Sequence, residues 1–356
     1  MANILITAPS LDENINISGI ASLTKTIISN SVGQTYFHFK TGKKDAEGKG
    51  LKWVMNQLLL IPRFIGFVRN NKIDLIHLNT DFTPASIVRD YFILMVARRI
   101  LRRKILMHIH GGYLLMNPPK KSTLLYFLIN GMLKNAAIRV VLSGIEQREI
   151  FNAYGAACTV MPNAVEILEE TVTKDFSGKL SMLFMGRIIK SKGIFLLAEC
   201  LGQLSKYFTE INLKIYGIGP DLQKFQQQLS GIPGLNYEYC GVARGTEKAR
   251  AFRAAHIFLL PSLYGEGLPI AMLESMNYGC VPVVSDDASI GTVVKDGSNG
   301  YLVSKGNIRQ LKDKLIRVFD NREKLKELST NAKLTIDTSY NLNNYITALN
   351  QLYTIH

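Results

Sequence analysis

The chain has 356 residues and carries 42 Lys and Arg against 28 Asp and Glu, a formal net charge of +14. Apolar residues make up 47% and charged residues 20%, a balance that excludes a largely disordered chain. Since one domain holds roughly 100–200 residues, this length predicts two domains.

Short apolar and β-branched runs alternate along the chain with longer segments of helical period, and each short run predicts a strand. Several runs are apolar throughout, which is typical of strands buried on both faces of a parallel sheet. The alternation predicts an α/β fold, and twelve strands are many for one open sheet, so we expect two doubly wound sheets of about six strands each. The predicted strands are Asn3–Ala8, Thr35–Phe39, Leu75–Leu78, Ile105–Ile109, Arg139–Ser143, Thr159–Pro162, Leu180–Met185, Leu213–Gly217, Tyr237–Gly241, Ile257–Pro261, Val281–Ser285 and Tyr301–Val303.

The domain boundary is expected near the end of the sixth predicted strand. The stretch that follows, Glu166–Lys179, is polar and has no clear period, so we interpret it as a linker. We therefore predict an N-terminal domain over residues 1–165 and a C-terminal domain over residues 166–335.

Two helices are predicted near the C-terminus. Leucines at helical spacing indicate a helix over Asn307–Ser329, and Asn341–His356 is a second candidate. We expect the segment 336–356 to form a C-terminal helix that packs back on the N-terminal domain.

The cysteines and the N-terminal sequence indicate the cellular compartment of the protein. Four scattered cysteines (Cys158, Cys200, Cys240 and Cys280) lack the spacing of a zinc site and fit a reducing cytoplasm better than a disulfide framework. The N-terminus enters a strand directly, without the pattern of a signal peptide, and no apolar run reaches about 18 residues. We expect a cytoplasmic protein without a transmembrane helix.

Three loops after predicted strands carry residues suited to chemistry. The segment Gly186-Arg187-Ile188-Ile189-Lys190-Ser191-Lys192-Gly193 places Arg187, Lys192 and two glycines between a strand and a helix, which favours binding of a diphosphate. The segment Tyr216-Gly217-Ile218-Gly219-Pro220 predicts a tight turn. The loop and helix over 261–274 carry Glu266 and Glu274, and a hydroxyl-rich ligand such as a sugar would satisfy both acids.

Together these stretches resemble the retaining glycosyltransferases of family 4. The resemblance rests on Glu266-x7-Glu274 within Pro-Ser-Leu-Tyr-x-Glu-Gly-Leu-Pro and on Gly186-Arg187-x4-Lys192-Gly193 upstream, with weaker matches at Met161–Val165, Tyr278–Val284 and Asp296–Val303. It implies the GT-B fold, an α/β architecture of two facing Rossmann-like domains with parallel sheets and a central cleft. It also implies a nucleoside-diphosphate sugar as donor substrate, with no cofactor.

The resemblance assigns roles to matching positions. Arg187 and Lys192 would bind the donor diphosphate and stabilise the leaving group, Glu274 would hold the ribose hydroxyls, and Glu266 would contact the transferred sugar. His110, before Gly111-Gly112, resembles the family's histidine beside the reacting sugar, and we expect His110, Glu266, Arg187 and Lys192 to be catalytic. The other implied donor-binding positions are Gly19, Gly186, Gly217, Cys240, Val242, Gly267 and Leu268.

The implied reaction moves a sugar to an acceptor hydroxyl with retention at the anomeric carbon. No clear carboxylate pair for double displacement is present, so the resemblance favours front-face attack. Asp286 and Asp287 lack the ligand set of a dedicated metal site, and Arg187 and Lys192 can do the metal's usual work on a diphosphate, so we predict no metal.

The positive charge is concentrated in the predicted N-terminal domain, where residues 1–165 carry 20 basic and 9 acidic side chains. Apolar segments bordered by cations occur over Leu51–Arg69, Tyr91–Lys104 and Lys120–Ile129, which fits an anionic membrane surface on the inner face of the cell membrane. A lipid-linked glycan in bacterial surface polysaccharide synthesis, or another saccharide, is the expected acceptor.

Other classes stay open on the sequence alone. A basic nucleic-acid-binding protein is permitted by charge, but no recognition motif is present, and we expect no nucleic-acid partner. A GT-B sugar-nucleotide epimerase and a catalytically silent partner protein are the remaining alternatives.

Overall fold

Twelve strands form two parallel sheets in the computed structural model of the chain, which describes residues 2–13, 16, 18–42, 59–170, 172–208 and 210–354. Every predicted strand is present, with ends that differ from the prediction by at most two residues. The strands are β1 Asn3–Ala8, β2 Thr35–Lys40, β3 Leu75–Thr80, β4 Lys104–Ile109, β5 Ile138–Val141, β6 Thr159–Val160, β7 Ser181–Met185, β8 Ile211–Tyr216, β9 Leu235–Tyr239, β10 Ile257–Leu260, β11 Val281–Ser285 and β12 Tyr301–Val303.

The order of the strands shows where each sheet reverses its direction of growth. The first sheet runs β2-β1-β3-β4-β5-β6 and the second runs β12-β11-β10-β7-β8-β9. In the second sheet the chain starts in the middle at β7, grows to one edge, and returns to place β10 beside β7. Open α/β sheets bind ligands at the carboxyl ends of the strands at such a reversal. These reversals lie at the β7/β10 pair of the second sheet and at the β1/β3 pair of the first.

The helices connect the strands and cover the sheets. All residues of β3, β10 and β11 are buried, so both faces of each sheet are covered there. The helices among the described residues are α1 Gly19–Asn30, α2 Leu60–Asn70, α3 Pro84–Met95, α4 Tyr113–Met116, α5 Leu124–Asn135, α6 Gly144–Tyr154, α7 Ile194–Leu204, α8 Leu222–Ser230, α9 Gly245–Ala254, α10 Ile270–Asn277, α11 Ile290–Val293, α12 Ile308–Asp320, α13 Arg322–Ser339 and α14 Leu342–Thr354. A π-helical turn, Val96–Ile100, extends α3.

Local signals in the sequence explain where several helices begin. The hydroxyls of Ser18, Thr123 and Ser143 accept hydrogen bonds from backbone N–H groups in the first turns of α1, α5 and α6. Gly155 ends α6 in the left-handed conformation, which glycine adopts without steric cost.

The single helix predicted over Asn307–Ser329 is wrong, because the chain forms two helices there. Asn321 separates α12 from α13 with a non-helical backbone, and its side chain accepts a hydrogen bond from the N–H of Lys324. The apolar spacing continues across the break, so it did not reveal this N-cap. The second candidate, Asn341–His356, forms α14 over its described residues.

The chain divides into two compact units, residues 1–163 with 343–356, and residues 164–342. The segment interpreted as a linker, Glu166–Lys179, belongs to the second unit and its described residues contain no helix or strand. It is nevertheless anchored, because the Lys174 ammonium donates to the carbonyls of Phe252, Arg253 and Ala255 at 2.6–2.7 Å. Its irregular backbone is therefore a packed part of the unit.

No helix in the described part of the chain has the length and apolar character needed to cross a bilayer. Of the basic segments singled out in the sequence, residues 51–58 of Leu51–Arg69 lie outside the described residues. The other two segments are described in full.

Candidate active site

The loops after β7 and β10 are in direct contact at the reversal point of the second sheet. The N–H of Leu263 donates to the carbonyl of Ser191 at 2.7 Å. Gly193 lies so close to Pro261 that a Cβ on Gly193 would be 1.8 Å from the Pro261 carbonyl oxygen, and its φ is +71°. Only glycine fits at this position. Gly193 therefore allows the two loops to come into contact.

A second close approach involves the predicted donor-binding glycines Gly186 and Gly217. A Cβ on Gly217 would lie 1.8 Å from the carbonyl oxygen of Gly186, and the φ of Gly217 is +138°. The N–H of Gly186 donates to the carbonyl of Tyr216 at 3.0 Å, at the end of the β7/β8 pair. These glycines bring three βα loops together at the carboxyl edge of the sheet.

Lys192 and Glu266 form an ion pair within the joined loops. The Lys192 ammonium lies 2.6 Å from Glu266 Oε1, and the two side chains are only 14% and 5% exposed. The Ser262 hydroxyl donates to the same carboxylate oxygen. Two of the four predicted catalytic residues are therefore adjacent, one from the loop after β7 and one from the loop after β10.

The loop that holds Glu266 is fixed by an acid from the loop after β11. The buried carboxylate of Asp287 accepts a hydrogen bond from the N–H of Glu266 at 3.0 Å, and its other oxygen lies 2.9 Å from the Lys305 ammonium. Asp287 therefore has a protein cation and a backbone donor as partners.

The guanidinium of Arg187 is exposed, and no described residue forms a hydrogen bond or ion pair with it. Arg187 follows β7 directly, whereas Lys192 ends a 3₁₀ turn over Lys190–Lys192, and α7 begins at Ile194 after Gly193. One of the two predicted diphosphate-binding cations is thus free toward solvent, and the other is engaged with an acid.

Glu274 lies inside α10 and has a partner that the sequence did not suggest. The Lys248 ammonium, from α9, is 2.6 Å from the Glu274 carboxylate, and the side chains are 27% and 23% exposed. Both side chains are thus partly buried. Glu274 does not contact the Lys192–Glu266 pair among the described contacts, and it lies eight positions further along the chain.

The remaining predicted donor-binding residues of this unit lie near the same edge of the sheet. Cys240 and Val242 follow β9 and are half-buried, and the N–H of Cys240 donates to the carbonyl of Ile215 on β8. Burial raises the pKa of the Cys240 thiol, so the group is neutral. Gly267 and Leu268 follow Glu266 before α10, and Leu268 is buried.

In the first unit, the two predicted residues are Gly19, at the start of a helix, and His110, directly after a strand. Gly19 is exposed and is the first residue of α1, after the N-cap Ser18. His110 follows β4 directly, and its Nε2 lies 2.8 Å from Oδ1 of Asn79 at the end of β3. Burial lowers the pKa of His110 to about 3, so the ring is neutral.

Two further histidines share the sheet face of His110. The ring of His108 lies 4.1 Å from that of His110 and 5.5 Å from that of His77, measured between centroids. His77 Nδ1 is 2.7 Å from the hydroxyl of Tyr353 on α14. Burial lowers the pKa of His77 to about 3 and that of His108 well below its usual value. We call His77, His108 and His110 the histidine row.

Acids, histidines and cysteines are the side chains that could hold a metal ion in this chain. No cluster of three or more such side chains with the arrangement of a metal site occurs in the part of the chain that the structure describes. The prediction that no metal is needed stays a prediction.

Residues 169–335 match the family model described as Glycosyl transferases group 1. This matched range contains both joined loops, the Lys192–Glu266 pair and Glu274. It also contains Arg187, Cys240 and Val242, so most of the predicted donor-binding residues lie inside it.

Individual proteins that are similar to the chain include named glycosyltransferases. Phosphatidyl-myo-inositol mannosyltransferase of Mycobacterium leprae is 28% identical over 188 residues, which cover 51% of this chain and 50% of that protein. The chain spans about half the length of the curated relatives it matches.

Solved structures are similar over nearly the whole chain. Sucrose-phosphate synthase from Thermosynechococcus elongatus superimposes with a TM-score of 0.79 at 14% identity, covering 99% of this chain and 98% of the other. Anabaena Alr3699/HepE, solved in complex with UDP and glucose, gives a TM-score of 0.76 at 15% identity over 100% of both chains. The predicted GT-B class, with two parallel Rossmann-like sheets and helices, is confirmed.

Several residues of the site were not found by sequence reasoning. No local pattern links Lys248 to Glu274 or Lys305 to Asp287, because each pair is brought together only by the folding of separate segments. Asn79 left a weak signal, since it is an amide at the end of a buried strand that begins with apolar residues.

Proposed function

We propose that the chain is a retaining, metal-independent glycosyltransferase of family 4 that transfers a sugar from a nucleoside diphosphate to an acceptor hydroxyl. The observation that carries the proposal is the Lys192–Glu266 pair at the β7/β10 reversal, inside the range that matches the group 1 glycosyltransferase model. This edge of a doubly wound sheet is where such folds bind nucleotides.

The cations suit a diphosphate leaving group. As the bond from the sugar to the diphosphate breaks, negative charge grows on the phosphate oxygens. The exposed Arg187 guanidinium can bind two oxygens in a fork, while the Lys192 ammonium acts as a point charge. Charges placed before the reaction stabilise the transition state more than the ground state, so they accelerate departure.

The acids suit the hydroxyls of a nucleotide sugar. Oε1 of Glu266 accepts from Lys192 and Ser262, and Oε2 has no hydrogen-bond partner among the described residues. We propose that Oε2 accepts from a hydroxyl of the transferred sugar. Glu274, partly buried beside Lys248, is proposed to accept from the ribose hydroxyls. The backbone around Cys240 and Val242 is proposed to contact the base.

Retention is proposed to follow from front-face attack. Double displacement needs a second carboxylate at the reacting carbon, about 5–5.5 Å from the first. Asp287 contacts the Glu266 loop, but its two oxygens are engaged by the Glu266 N–H and by Lys305. The donor phosphate itself is then the group available to receive the acceptor proton.

A screen of nucleotide sugars tests this proposal. We expect one class among UDP-, GDP-, ADP- and dTDP-sugars to raise the Tm of the protein, because a ligand that binds only the folded state stabilises it. The same donor should release its nucleoside diphosphate only when an acceptor is added, and NMR of the product should show the anomeric configuration of the donor.

Other results would contradict the proposal. Failure of every nucleotide sugar to shift the Tm would remove the donor site. Conversion of the donor to an isomeric nucleotide sugar without acceptor would instead favour an epimerase, and an inverted product would overturn retention.

The acceptor is proposed to be a lipid-linked glycan at the inner face of the cell membrane, in bacterial surface polysaccharide synthesis. Between residues 82 and 145 the chain has ten Lys and Arg but one acid, Asp90, which is buried and paired with Arg89 at 2.7 Å. The name of the Mycobacterium leprae relative includes a phospholipid, phosphatidyl-myo-inositol.

The exposed surface of α3 and α5 supports a membrane partner. These helices pack against each other, and Val88 and Phe92 on α3 and Leu124 and Phe127 on α5 are 42–69% exposed. We call these four side chains the apolar helix face. Exposed cations follow each helix or precede it in sequence, at Arg98, Arg99, Arg102, Lys104, Lys120 and Lys121. Apolar side chains with neighbouring cations fit a bilayer that carries anionic headgroups.

A further inference from the structure

Asn79 lies at the carboxyl end of β3, where it connects three elements of the first unit. Its Nδ2 donates to the carbonyl oxygen of Thr7 on β1 at 2.8 Å and to Oγ1 of Thr24 on α1 at 3.3 Å. Its Oδ1 lies 2.8 Å from Nε2 of His110. The side chain is buried, with 5% of its surface exposed.

These contacts determine the orientation of the Asn79 amide. A backbone carbonyl can only accept a hydrogen bond, so the atom that faces Thr7 must be the amide nitrogen. The oxygen then faces His110. The assignment of oxygen and nitrogen in this side chain therefore follows from the Thr7 contact and needs no assumption about His110.

The orientation of Asn79 in turn determines the tautomer of His110. An amide oxygen is an acceptor, so His110 Nε2 must carry a proton and donate it. Because burial lowers the pKa of His110 to about 3, the ring is neutral and holds one N–H proton. Nδ1 therefore bears a lone pair, and no described residue donates a hydrogen bond to it.

We propose that Asn79 is a positioning residue that holds His110 as the Nε2–H tautomer, so that His110 meets its substrate through Nδ1 as an acceptor from a sugar hydroxyl. The role of His110 toward the sugar rests on the proposed function. The tautomer does not rest on it, because it follows from contacts within the first unit alone.

The assignment excludes one role for His110. A neutral ring without a proton on Nδ1 cannot protonate a leaving group through that atom. The bond from Nε2 is directed into the protein, where Asn79 is buried. His110 therefore orients a hydroxyl, and the diphosphate leaves with its charge stabilised elsewhere.

NMR of the full chain labelled with ¹⁵N histidine tests the tautomer directly. The signals of His110 are assigned as those missing from His110→Gln. In the wild type we expect a protonated Nε2 and an unprotonated Nδ1 near neutral pH. In Asn79→Leu, which has no acceptor, we expect the Nδ1–H tautomer to become populated. Thr24→Val is the matched control, since it removes the weaker amide contact and leaves Oδ1 in place.

Kinetics provide the second measurement. With the donor found in the nucleotide-sugar screen, Asn79→Leu should lower kcat on the order of 100-fold, as expected when a substrate-orienting group is misplaced. Thr24→Val should retain kcat within about threefold. A proton on Nδ1 of wild-type His110 would overturn the proposal, even if Asn79→Leu does not fold. An Asn79→Leu protein with unchanged histidine spectrum and kcat would overturn it as well.

The two levels of the proposal fail separately. If the wild type shows the Nε2–H tautomer but transfers no sugar from any donor, the proposed function fails while the role of Asn79 in holding the ring stands. If transfer occurs with His110 protonated on Nδ1, the proposed function stands and the role of Asn79 is wrong.

Discussion

The histidine row holds three neutral imidazoles in the interior of one sheet. His108 is fully buried, and neither of its ring nitrogens has a hydrogen-bond partner in the described part of the chain. Burial disfavours the charged form, which lowers the pKa of all three rings. The effect of these rings on the free energy of unfolding therefore depends on pH.

We expect the free energy of unfolding to fall as the pH is lowered below about 6.5. In the unfolded chain each histidine binds a proton near its ordinary pKa of about 6.5, whereas folded His77 and His110 bind one only near 3. The unfolded state thus binds more protons, and each ring of the row removes about 1.4 kcal/mol of stability per pH unit over that window.

Urea unfolding of the wild type and His108→Leu between pH 7 and pH 5 measures this effect. The variant lacks one titrating ring, so its stability should fall less steeply, by about 1.4 kcal/mol per pH unit. Parallel curves for the two proteins would show that His108 is protonated as easily in the folded state as in the unfolded one.

Single residues of the proposed donor site were easier to predict than their pairing. Lys192 and Glu266 stand in short local patterns, and the sequence singled out each of them. Their contact joins positions 74 apart, and it exists because β10 returns to lie beside β7. Removing one partner of such a largely buried pair leaves the other charge uncompensated, which costs roughly 3–5 kcal/mol.

At the scale of elements, strands were more predictable than helix ends. Strands such as β1, β7 and β10 are short apolar runs followed directly by proline or glycine, so their positions follow from composition. The break at Asn321 was missed because a side-chain cap can interrupt an apolar period without changing it. The exposure of the apolar helix face was not predictable in detail, because it depends on which side of α3 meets α5.

The apolar helix face gives a prediction about vesicle binding. We expect the protein to sediment with vesicles that contain phosphatidylglycerol, and to do so less at high salt. It should not sediment with vesicles of phosphatidylcholine alone. Phe92→Ser combined with Phe127→Ser should weaken binding at least about tenfold, because each ring contributes roughly 1.5–3 kcal/mol when buried.

Leu334→Ser is the matched control for this experiment. Leu334 is similarly exposed, at 56%, but lies on α13 of the other unit. Equal loss of vesicle binding in the control and in the double variant would contradict the assignment of the face. Binding to DNA with equal strength would favour the nucleic-acid alternative.

At the scale of the whole molecule, the net charge of +14 separates into two parts. Residues 1–165 carry an excess of 11 positive charges, while the remaining residues, which include Arg187 and Lys192, carry an excess of 3. The proposed donor-binding cations are thus a small part of the total. The larger excess belongs to the region for which we propose an anionic membrane and a lipid-linked acceptor.

The division into two sheets followed from length and strand count, and the sheet orders then located the edge where folds of this kind bind ligands. What sequence could not supply was the way loops distant in the chain meet there, since Gly193 against Pro261 and Gly217 against Gly186 are contacts of the folded chain. The local sequence pattern identified these glycines, and the close packing of the loops explains why a larger residue would not fit there.

The central claim is that the joined loops after β7 and β10 bind the donor diphosphate through Lys192. Calorimetric titration with the nucleoside diphosphate of the best donor tests it most directly, on the wild type, Lys192→Ala and Lys190→Ala. Lys190 is the matched control because it lies in the same 3₁₀ turn with an exposed side chain. A charge-assisted contact is worth about 1.5–3 kcal/mol, so Lys192→Ala should raise Kd roughly 10- to 100-fold, and Lys190→Ala should leave it within about twofold. An unchanged Kd in folded Lys192→Ala would contradict the account. An equal rise in Kd in Lys192→Ala and Lys190→Ala would contradict it as well.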